Sequence, residues 1–137
     1  MTDQIIEKIL SSNDTGETGG HQAGILVPKD PAILDFFPRL DSGRKNPRAV
    51  LAMSDDTGYS WTFNFIYYNN RLFGGTRNEY RLTGMTAFFR EFNLKGGDAV
   101  IFRREASGYL YVSYRRASMR GQIIKLTGIW KVIATRM

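Results

Sequence analysis

The feature that most constrains the fold of this chain is a hairpin pattern at its centre. The run RAVLAMS, which starts at Arg48, is followed by the turn-forming letters DDTG and then by the run YSWTFNFIYY. Alternate residues of the second run, from Trp61 to Tyr67, are large aromatics, so their rings share one face of an extended strand. Strict alternation of this kind is more typical of a core face than of a surface on which bases stack. The pattern predicts an antiparallel β-hairpin with an aromatic core face.

The other apolar residues also occur in short bursts between turn signals, which is typical of a mostly β domain. Gly24–Lys29 and the later runs AVIFRR, YLYVSYRR and IWKVIATR predict strands, whereas IIEKIL near the start fits either a strand or a helical turn. DPAILDFFP predicts a short helix capped by Asp30, and Met85–Leu94 predicts a second helix with its phenylalanines toward the core. We therefore expect about seven strands and two short helices, in a sheet whose closure into a barrel would remove exposed edges.

Length and composition restrict the class of protein. A chain of 137 residues with 42% hydrophobic residues suits one globular domain, 1–137, with a single core. No apolar run approaches the roughly 18 residues of a membrane span, and we recognise no signal peptide. The sequence contains no cysteine, which excludes disulfides, a thiol nucleophile and a zinc–cysteine cluster. We expect a cytoplasmic protein.

The charge distribution is uneven along the chain. Lysine and arginine number 19 against 13 acidic residues, which gives a formal net charge of +6. The first 35 residues contain two basic and six acidic side chains, and residues 36–137 contain 17 basic and seven acidic ones. A basic domain of this kind suits a polyanionic partner, because neutralising phosphates releases counterions. Charge alone does not distinguish specific nucleic-acid binding from an ordinary basic surface.

The sequence contains no convincing catalytic set. None of the 13 acidic residues has lysine two positions later, which is the spacing that a restriction-type nuclease core requires. The single histidine, His21, excludes two-histidine metal sites and histidine-based nuclease motifs. No G-x-S-x-G elbow and no phosphate-binding P-loop are present, and the glycine-rich stretch GETGGHQAG contains no lysine.

Two polar loops are unusually long for turns, namely Asn13–Gln22 and Arg71–Arg81. Their arginine, asparagine, glutamine and glutamate side chains are the types that read base edges, and their glycines permit close backbone approach. Each feature also has an ordinary interpretation. His21 fits a surface histidine bonded to nearby backbone, and the alternating charges from Arg77 to Arg81 fit a solvated strand edge. The residues alone leave these alternatives open.

The sequence motifs in these loops resemble those of a known family. SSNDTGETGGHQAGILVPK and IYYNNRLFGGTRNEYRLTG resemble the N-terminal effector domain of EcoRII-type restriction endonucleases, and the long shared words N-D-T-G-x-T-G-G-H-Q and T-R-N-E-x-R are specific. The segments DDTGYSWTF, LTGMTAFF and LKGGDAVIFRREASGYLYV resemble plant B3 DNA-binding domains. The resemblance extends from about residue 8 to residue 114. It implies a seven-stranded open pseudobarrel with two short helices, and it favours a strand for IIEKIL.

In that family two arms grip the DNA major groove. The resemblance implies an N-arm at about residues 11–23 and a C-arm at about residues 69–82. The base-reading residues that it implies are Thr18, Gly19, Gly20, His21, Gln22, Arg77, Asn78, Glu79, Tyr80 and Arg81. The residues expected to contact the DNA backbone are Asn13, Lys29, Arg44, Lys45, Arg48, Arg71 and Thr76. EcoRII-like domains have lysine at the positions of Gly75 and Tyr80, so two positive charges are missing from this C-arm.

The resemblance implies sequence-specific binding of double-stranded DNA, as the effector domain of a type II restriction endonuclease with CCWGG as a candidate target. The nuclease chemistry, with any magnesium ion, would lie outside this chain, so no cofactor or metal is expected. We expect a monomeric isolated domain in the bacterial cytoplasm. The alternatives are a stand-alone regulator of the same fold, a nuclease complete in itself, and a protein that binds single strands or RNA.

Overall fold

The computed structural model describes residues 3–17, 24–117 and 129–136. Within these ranges eight strands form one curled, open sheet, with three short α-helices and one 3-10 helix. The strands are β1 (Asp3–Ile9), β2 (Gly24–Val27), β3 (Arg48–Ser54), β4 (Ser60–Tyr68), β5 (Glu79–Thr83), β6 (Ala99–Arg104), β7 (Leu110–Arg115) and β8 (Trp130–Arg136). The helices are α1 (Ser12–Thr15), α2 (Pro31–Leu34) and α3 (Thr86–Glu91), and the 3-10 helix is Asn70–Phe73.

The central hairpin forms as predicted from β3 and β4, which pair from Arg48 opposite Ile66 to Ser54 opposite Ser60. Phe63 and Phe65 of β4 are completely buried, which confirms the aromatic core face. The hairpin lies in the middle of the sheet, whose strand order is β2-β5-β4-β3-β7-β6-β1-β8. The pairs are antiparallel except for the short contact between β3 and β7.

The prediction of seven strands was one too low, because the second polar loop contains β5. Glu79–Thr83 pairs with β4 on one side and with β2 on the other. Only Leu82 of this strand is fully buried, so the local sequence has little of the apolar pattern that marks a strand. Its neighbours impose the extended conformation, since both of its edges are hydrogen-bonded.

Both predicted helices are present, and α1 is an additional one. The Asp30 side chain accepts a hydrogen bond from the backbone N–H of Ala32 at the start of α2, as predicted. Phe88 and Phe89 of α3 are buried in the main core. The additional helix, α1, lies at the start of the predicted N-arm.

A side-chain hydrogen bond connects the two edges of the sheet. β2 and β8 are the outermost strands, and the Trp130 Nε1–H of β8 donates to the Leu26 carbonyl oxygen of β2 at 3.0 Å. The Trp130 ring also packs edge-on against Phe37 and is stacked with Phe102. The curled sheet is thereby held as an open barrel around an aromatic core.

Candidate nucleic-acid interface

The two predicted arms emerge beside adjacent strands. The C-arm connects β4 to β5, and the chain returns from the N-arm at Gly24, the first residue of β2. Gly24 pairs with Thr83 at the far end of β5. Four residue steps separate Thr83 from Glu79, where the C-arm enters β5, and they correspond to about 13 Å. This separation is close to the width of a DNA major groove, about 12 Å.

Three charged side chains form the centre of the C-arm. The Arg77 Nε–H donates to one carboxylate oxygen of Glu79 at 3.1 Å, and the Arg81 Nε–H donates to the other at 2.6 Å. The alternating positions along the extended backbone put all three side chains on one face. One carboxylate therefore orients two guanidinium groups through their Nε–H donors, and neither of these two hydrogen bonds uses an Nη atom. The structure brings these three predicted base readers together.

Glu79 is held as a charged group. Its partial burial would raise the pKa, but the hydrogen bonds from Arg81 and Arg77 outweigh the desolvation and leave the pKa of Glu79 below its ordinary value. The carboxylate consequently remains ionised at neutral pH between two cations. An acid in this position does not repel a phosphate-bearing ligand as an isolated carboxylate would.

Arg77 is fixed from two further directions. Its guanidinium lies over the ring of Tyr68, the last residue of β4, at 3.7 Å from the ring centroid. The Arg77 carbonyl oxygen accepts from the backbone N–H of Arg71 at 3.0 Å, across the arm. These contacts reduce the entropy that an exposed arginine loses when it binds a ligand.

Asn78 and Tyr80 lie on the opposite face of this segment from the three charged residues. The Tyr80 ring is half-buried and stacks on Tyr67 at 4.2 Å and on Phe65 at 5.6 Å. The Tyr67 hydroxyl donates to the Asn78 side-chain oxygen at 2.7 Å. Burial, with the nearby Tyr67, raises the pKa of Tyr80, so its hydroxyl stays protonated. The structure thus does not bring Asn78 and Tyr80 together with the charged set.

The outer part of the C-arm is a tight turn. The 3-10 helix Asn70–Phe73 ends at Gly74, whose φ of 89° is in the left-handed region that favours glycine. Arg71 and Thr76, two predicted backbone contacts, are exposed there. At Gly75 a Cβ atom would lie 2.9 Å from the Asn70 Cβ, so the lysine of EcoRII-like domains would require a rearrangement of this turn.

A basic loop lies beside the root of the C-arm. Residues 39–48 contain four basic side chains and one acid, and Arg44, Lys45 and Arg48 are exposed. The loop is connected to the arm through Asn69, whose side-chain amide forms hydrogen bonds with the backbone of the loop. Exposed cations in this position can contact phosphates without reading sequence.

The root of the N-arm is an ordered structure. Ser11 caps α1 in a capping box with Asp14, and Asp14 forms a buried ion pair with Lys8 at 3.3 Å. The Glu17 carboxylate accepts from the Gly96 N–H at 2.7 Å, across the fold. A Cβ atom at Gly96 would lie 2.9 Å from the Ser12 Oγ, so this glycine permits the close contact with α1.

Part of the predicted N-arm is not described. Thr18, Gly19, Gly20, His21 and Gln22 lie outside the described residues. Asn13, on α1, and Lys29, after β2, are both exposed.

Sequence reasoning missed four residues that position the candidate readers: Tyr67, Tyr68, Asn69 and Glu17. The aromatic alternation of β4 predicts Tyr67 only as a core residue, although this alternation ends beside the polar arm. A signal was available for α1, because Ser11 and Asp14 have the spacing of a capping box. The contacts of Asn69 and Glu17 span from 23 to 79 residues and have no local signature.

Among the residues that the structure describes, no group of three or more histidine, aspartate and glutamate side chains could hold a metal ion. The helices in the described ranges are too short or too polar to cross a membrane.

The open, curled sheet with its short helices is a B3-like pseudobarrel. The family described as "Restriction endonuclease EcoRII, N-terminal" matches residues 3–109. The chain therefore belongs to the family of EcoRII N-terminal domains, which confirms the resemblance seen in its motifs.

Two curated relatives represent two groups of proteins. The type II restriction enzyme EcoRII of Escherichia coli is 40% identical over 94 residues, which are 65% of this chain and 23% of the enzyme. Auxin response factor 3 of Arabidopsis thaliana is 37% identical over 111 residues, which are 81% of this chain and 17% of that protein. The chain thus spans less than a quarter of the length of either relative.

Two solved structures share the fold. The Arabidopsis FUS3–DNA complex matches with a TM-score of 0.64 at 24% identity, over 82% of this chain and 96% of the protein chain in that structure. The complex of the Arabidopsis thaliana transcription factor LEC2 with DNA matches with a TM-score of 0.62 at 19% identity. The match covers 86% of this chain and 97% of the protein chain in that structure. At these identities the matches establish the fold alone.

Proposed function

We propose that this chain is a sequence-specific binding domain for double-stranded DNA. The observation that carries the proposal is the set Arg77, Glu79 and Arg81. In this set the Glu79 carboxylate accepts a hydrogen bond from each arginine and holds both on one exposed face. Arginine is the side chain that most often recognises guanine in the major groove, through the O6 and N7 acceptors. The solved relatives of the same fold are described as complexes with DNA, which supports a DNA partner.

In the proposed complex the two arms enter one major groove from β2 and β5. Arg77 and Arg81 read guanines, while Glu79 keeps their geometry and accepts from a cytosine amino group within reach. His21 and Gln22 of the N-arm are the corresponding readers on the other side of the groove. Asn78 and Tyr80 support the C-arm from its opposite face.

The proposed phosphate contacts surround this base-reading centre. Arg44, Lys45 and Arg48 of the basic loop supply charge on one flank, and Asn13, Lys29, Arg71 and Thr76 supply further contacts near the arms. Such contacts determine the register of the protein on the duplex and supply most of the affinity that does not depend on sequence.

The proposed biological role is target recognition in a type II restriction endonuclease whose nuclease domain lies outside this chain. The family of EcoRII N-terminal domains supports this role, and CCWGG is the candidate target. The differences at Gly75 and Tyr80 remove two charges from the arm and favour a target or phosphate pattern that differs from that of EcoRII. The domain works without a metal or cofactor of its own and as a monomer.

A stand-alone transcriptional regulator is the second candidate role. The observation in its favour is the match to auxin response factor 3, which covers more of this chain than the match to EcoRII does. Both roles use the same DNA-binding site. The domain content of the full-length protein distinguishes them, because only the first role requires a nuclease domain in the same polypeptide.

A binding titration tests the proposed function directly. The protein is titrated against a duplex containing CCWGG, a scrambled duplex and the corresponding single strands, at a fixed salt concentration. We expect duplex binding that exceeds single-strand binding, and no cleavage of the duplex when magnesium is added. Preference for unpaired strands would contradict the proposal, and cleavage by this chain alone would show a nuclease.

A further inference from the structure

Asn69 is a completely buried polar side chain at the point where the C-arm leaves the barrel. Its relative exposure is 0%, and it immediately follows the last residue of β4. Its Nδ2 donates to the carbonyl oxygens of Ser42 at 3.1 Å and of Arg44 at 2.6 Å. Its Oδ1 accepts from the backbone N–H of Asn46 at 2.7 Å.

All three hydrogen bonds connect Asn69 to one loop, the basic loop of residues 39–48. The bonded residues precede Asn69 by 23 to 27 positions, so these contacts do not belong to a local turn. Both amide hydrogens and the amide oxygen are used. A buried amide with its hydrogen bonds satisfied in this way fixes the backbone that it touches, since leaving any of these groups unpaired would be costly.

The contacted backbone carries exposed cations. Arg44 and Lys45 lie between Ser42 and Asn46, the first and last of the residues that bond to Asn69, and both are exposed. Asn46 has a φ of 50°, a left-handed conformation that is uncommon for a residue other than glycine. The hydrogen bond that the Asn46 backbone N–H donates to the Asn69 Oδ1 is one of the contacts that hold this residue in place.

The base-reading part of the arm is fixed by other contacts. Arg77 rests on Tyr68 and bonds to Glu79, and its carbonyl oxygen accepts from Arg71. The turn is closed by the bond from the Gly75 N–H to the Asn70 carbonyl oxygen at 2.7 Å. Loss of the Asn69 side chain therefore releases the basic loop and leaves the C-arm readers in position.

We infer that Asn69 is a positioning residue that holds the phosphate-contacting loop at a fixed place beside the base-reading arm. The inference rests on the proposed function, since it assigns a DNA contact to the basic loop. It divides the interface into two parts: the base-reading residues of the C-arm provide specificity, and the loop positioned by Asn69 provides part of the affinity for any duplex.

Binding of Asn69→Ala to cognate and scrambled duplexes, measured over a range of salt concentrations, tests the inference. We expect binding to both duplexes to weaken about tenfold and the slope of log affinity against log salt to fall by about 1, because the loop cations lose their fixed positions. The ratio of cognate to scrambled affinity stays within about twofold of the parent value.

A double-mutant cycle provides the sharper test. Lys45→Ala in the parent protein should weaken all duplexes, whereas the same change in the Asn69→Ala protein should have less than a twofold effect. Asn64→Ala, a change at a half-buried asparagine of β4, is the matched control and should leave the Lys45→Ala effect unchanged. Circular dichroism verifies that each variant is folded at the assay temperature.

Three results would overturn the inference. The first is an unchanged salt slope in a folded Asn69→Ala protein, and the second is a full Lys45→Ala effect in that background. The third is failure of both Asn69→Ala and Asn69→Ser to fold, which would make Asn69 a determinant of stability. If the parent protein itself does not prefer duplex DNA, the proposed function fails, and that result is separate from these three.

Discussion

At the scale of single residues, Glu79 explains how an acid can belong to a surface that meets phosphates. Its carboxylate is shared between Arg77 and Arg81, so the three side chains together carry one positive charge. The acid orients both guanidinium groups while each retains donors for a base edge. Recognition by this set depends on geometry as well as on charge.

Removal of either arginine is expected to affect specificity. Arg77→Ala or Arg81→Ala should weaken binding to the cognate duplex by about 1–3 kcal/mol, because a bidentate contact to guanine is lost. Binding to scrambled duplex should change much less. Titrations of both duplexes at one salt concentration measure the difference, and Lys45→Ala is the comparison that should weaken both equally. Equal losses on the two duplexes would make these arginines phosphate contacts.

Neutralising Glu79 is expected to lower specificity although it adds net positive charge. Glu79→Gln should reduce the ratio of cognate to scrambled affinity about tenfold, since the arginines lose their charged buttress. The matched control is Glu91→Gln, which removes the same charge from the exposed end of α3. If the Glu79→Gln protein binds both duplexes more tightly and the ratio of cognate to scrambled affinity is unchanged, Glu79 affects binding through its charge alone.

The pKa of Glu79 also predicts how specificity responds to pH. Because the pKa lies below its ordinary value, the carboxylate remains ionised as the pH falls through the normal range for glutamate. In a His21→Gln protein, which lacks the one side chain type that ordinarily titrates between pH 5 and 8, the ratio of cognate to scrambled affinity should therefore be constant from pH 8 down to about pH 4.5, the ordinary pKa of glutamate. A loss of specificity within this range would show that Glu79 takes up a proton and is not held by the two arginines.

At the scale of elements, the turn between β3 and β4 is stabilised by one carboxylate. Asp55 accepts from the side chains of Thr57 and Trp61 and from the backbone N–H of Tyr59. These hydrogen bonds, that from the Thr57 side chain foremost, lower the pKa of Asp55 from 3.8 to about 2. The turn is at the opposite end of β4 from the C-arm, so it contributes to the hairpin and not to the candidate site.

Asp55→Asn should therefore lower the urea midpoint at pH 7 and have a smaller effect in acid. The folded pKa is depressed, so the contribution of the carboxylate is complete above pH 3.8 and is lost as the pH falls toward 2. Urea unfolding of both proteins between pH 7 and pH 2 measures this change. Asp56→Asn, an exposed neighbour, should have little effect, and a constant difference between parent and Asp55→Asn at all pH values would contradict the account.

The sequence was informative wherever local chemistry determines structure. The central hairpin and the Asp30 cap were predictable because alternation and capping act over a few residues. Strand β5 was not predictable, since the charged residues Glu79 and Arg81 are typical of a polar loop. Its pairing with β2 and β4 makes this segment a strand. The charged set at the candidate site came from the family resemblance, whereas the stacking of Tyr80 on Tyr67 required the tertiary structure.

At the scale of the whole molecule, the two sheet edges meet through one indole. Trp130 is on β8, and its N–H bonds to the β2 strand that receives the N-arm. The closure thus supports the strand beside which both arms lie. Since β2 has only four residues, its position depends on its neighbours on both sides.

Trp130→Phe tests this closure, because it keeps an aromatic ring and removes the N–H donor. We expect the free energy of unfolding to fall by about 1 kcal/mol, the usual contribution of one hydrogen bond. Urea denaturation followed by circular dichroism measures the change. Tyr109→Phe, on a ring that is 71% exposed, is the control and should be neutral. Equal stability of Trp130→Phe and the parent protein would mean that ring packing alone closes the barrel.

The central claim is that the folded domain reads a short DNA sequence, and selection of bound duplexes from a random pool tests it most directly. We expect enrichment of one short motif that contains guanines, and loss of that enrichment in the Arg77→Ala/Arg81→Ala double variant, which still binds DNA. Recovery of duplexes with no common motif, or the same motif from the double variant, would contradict it.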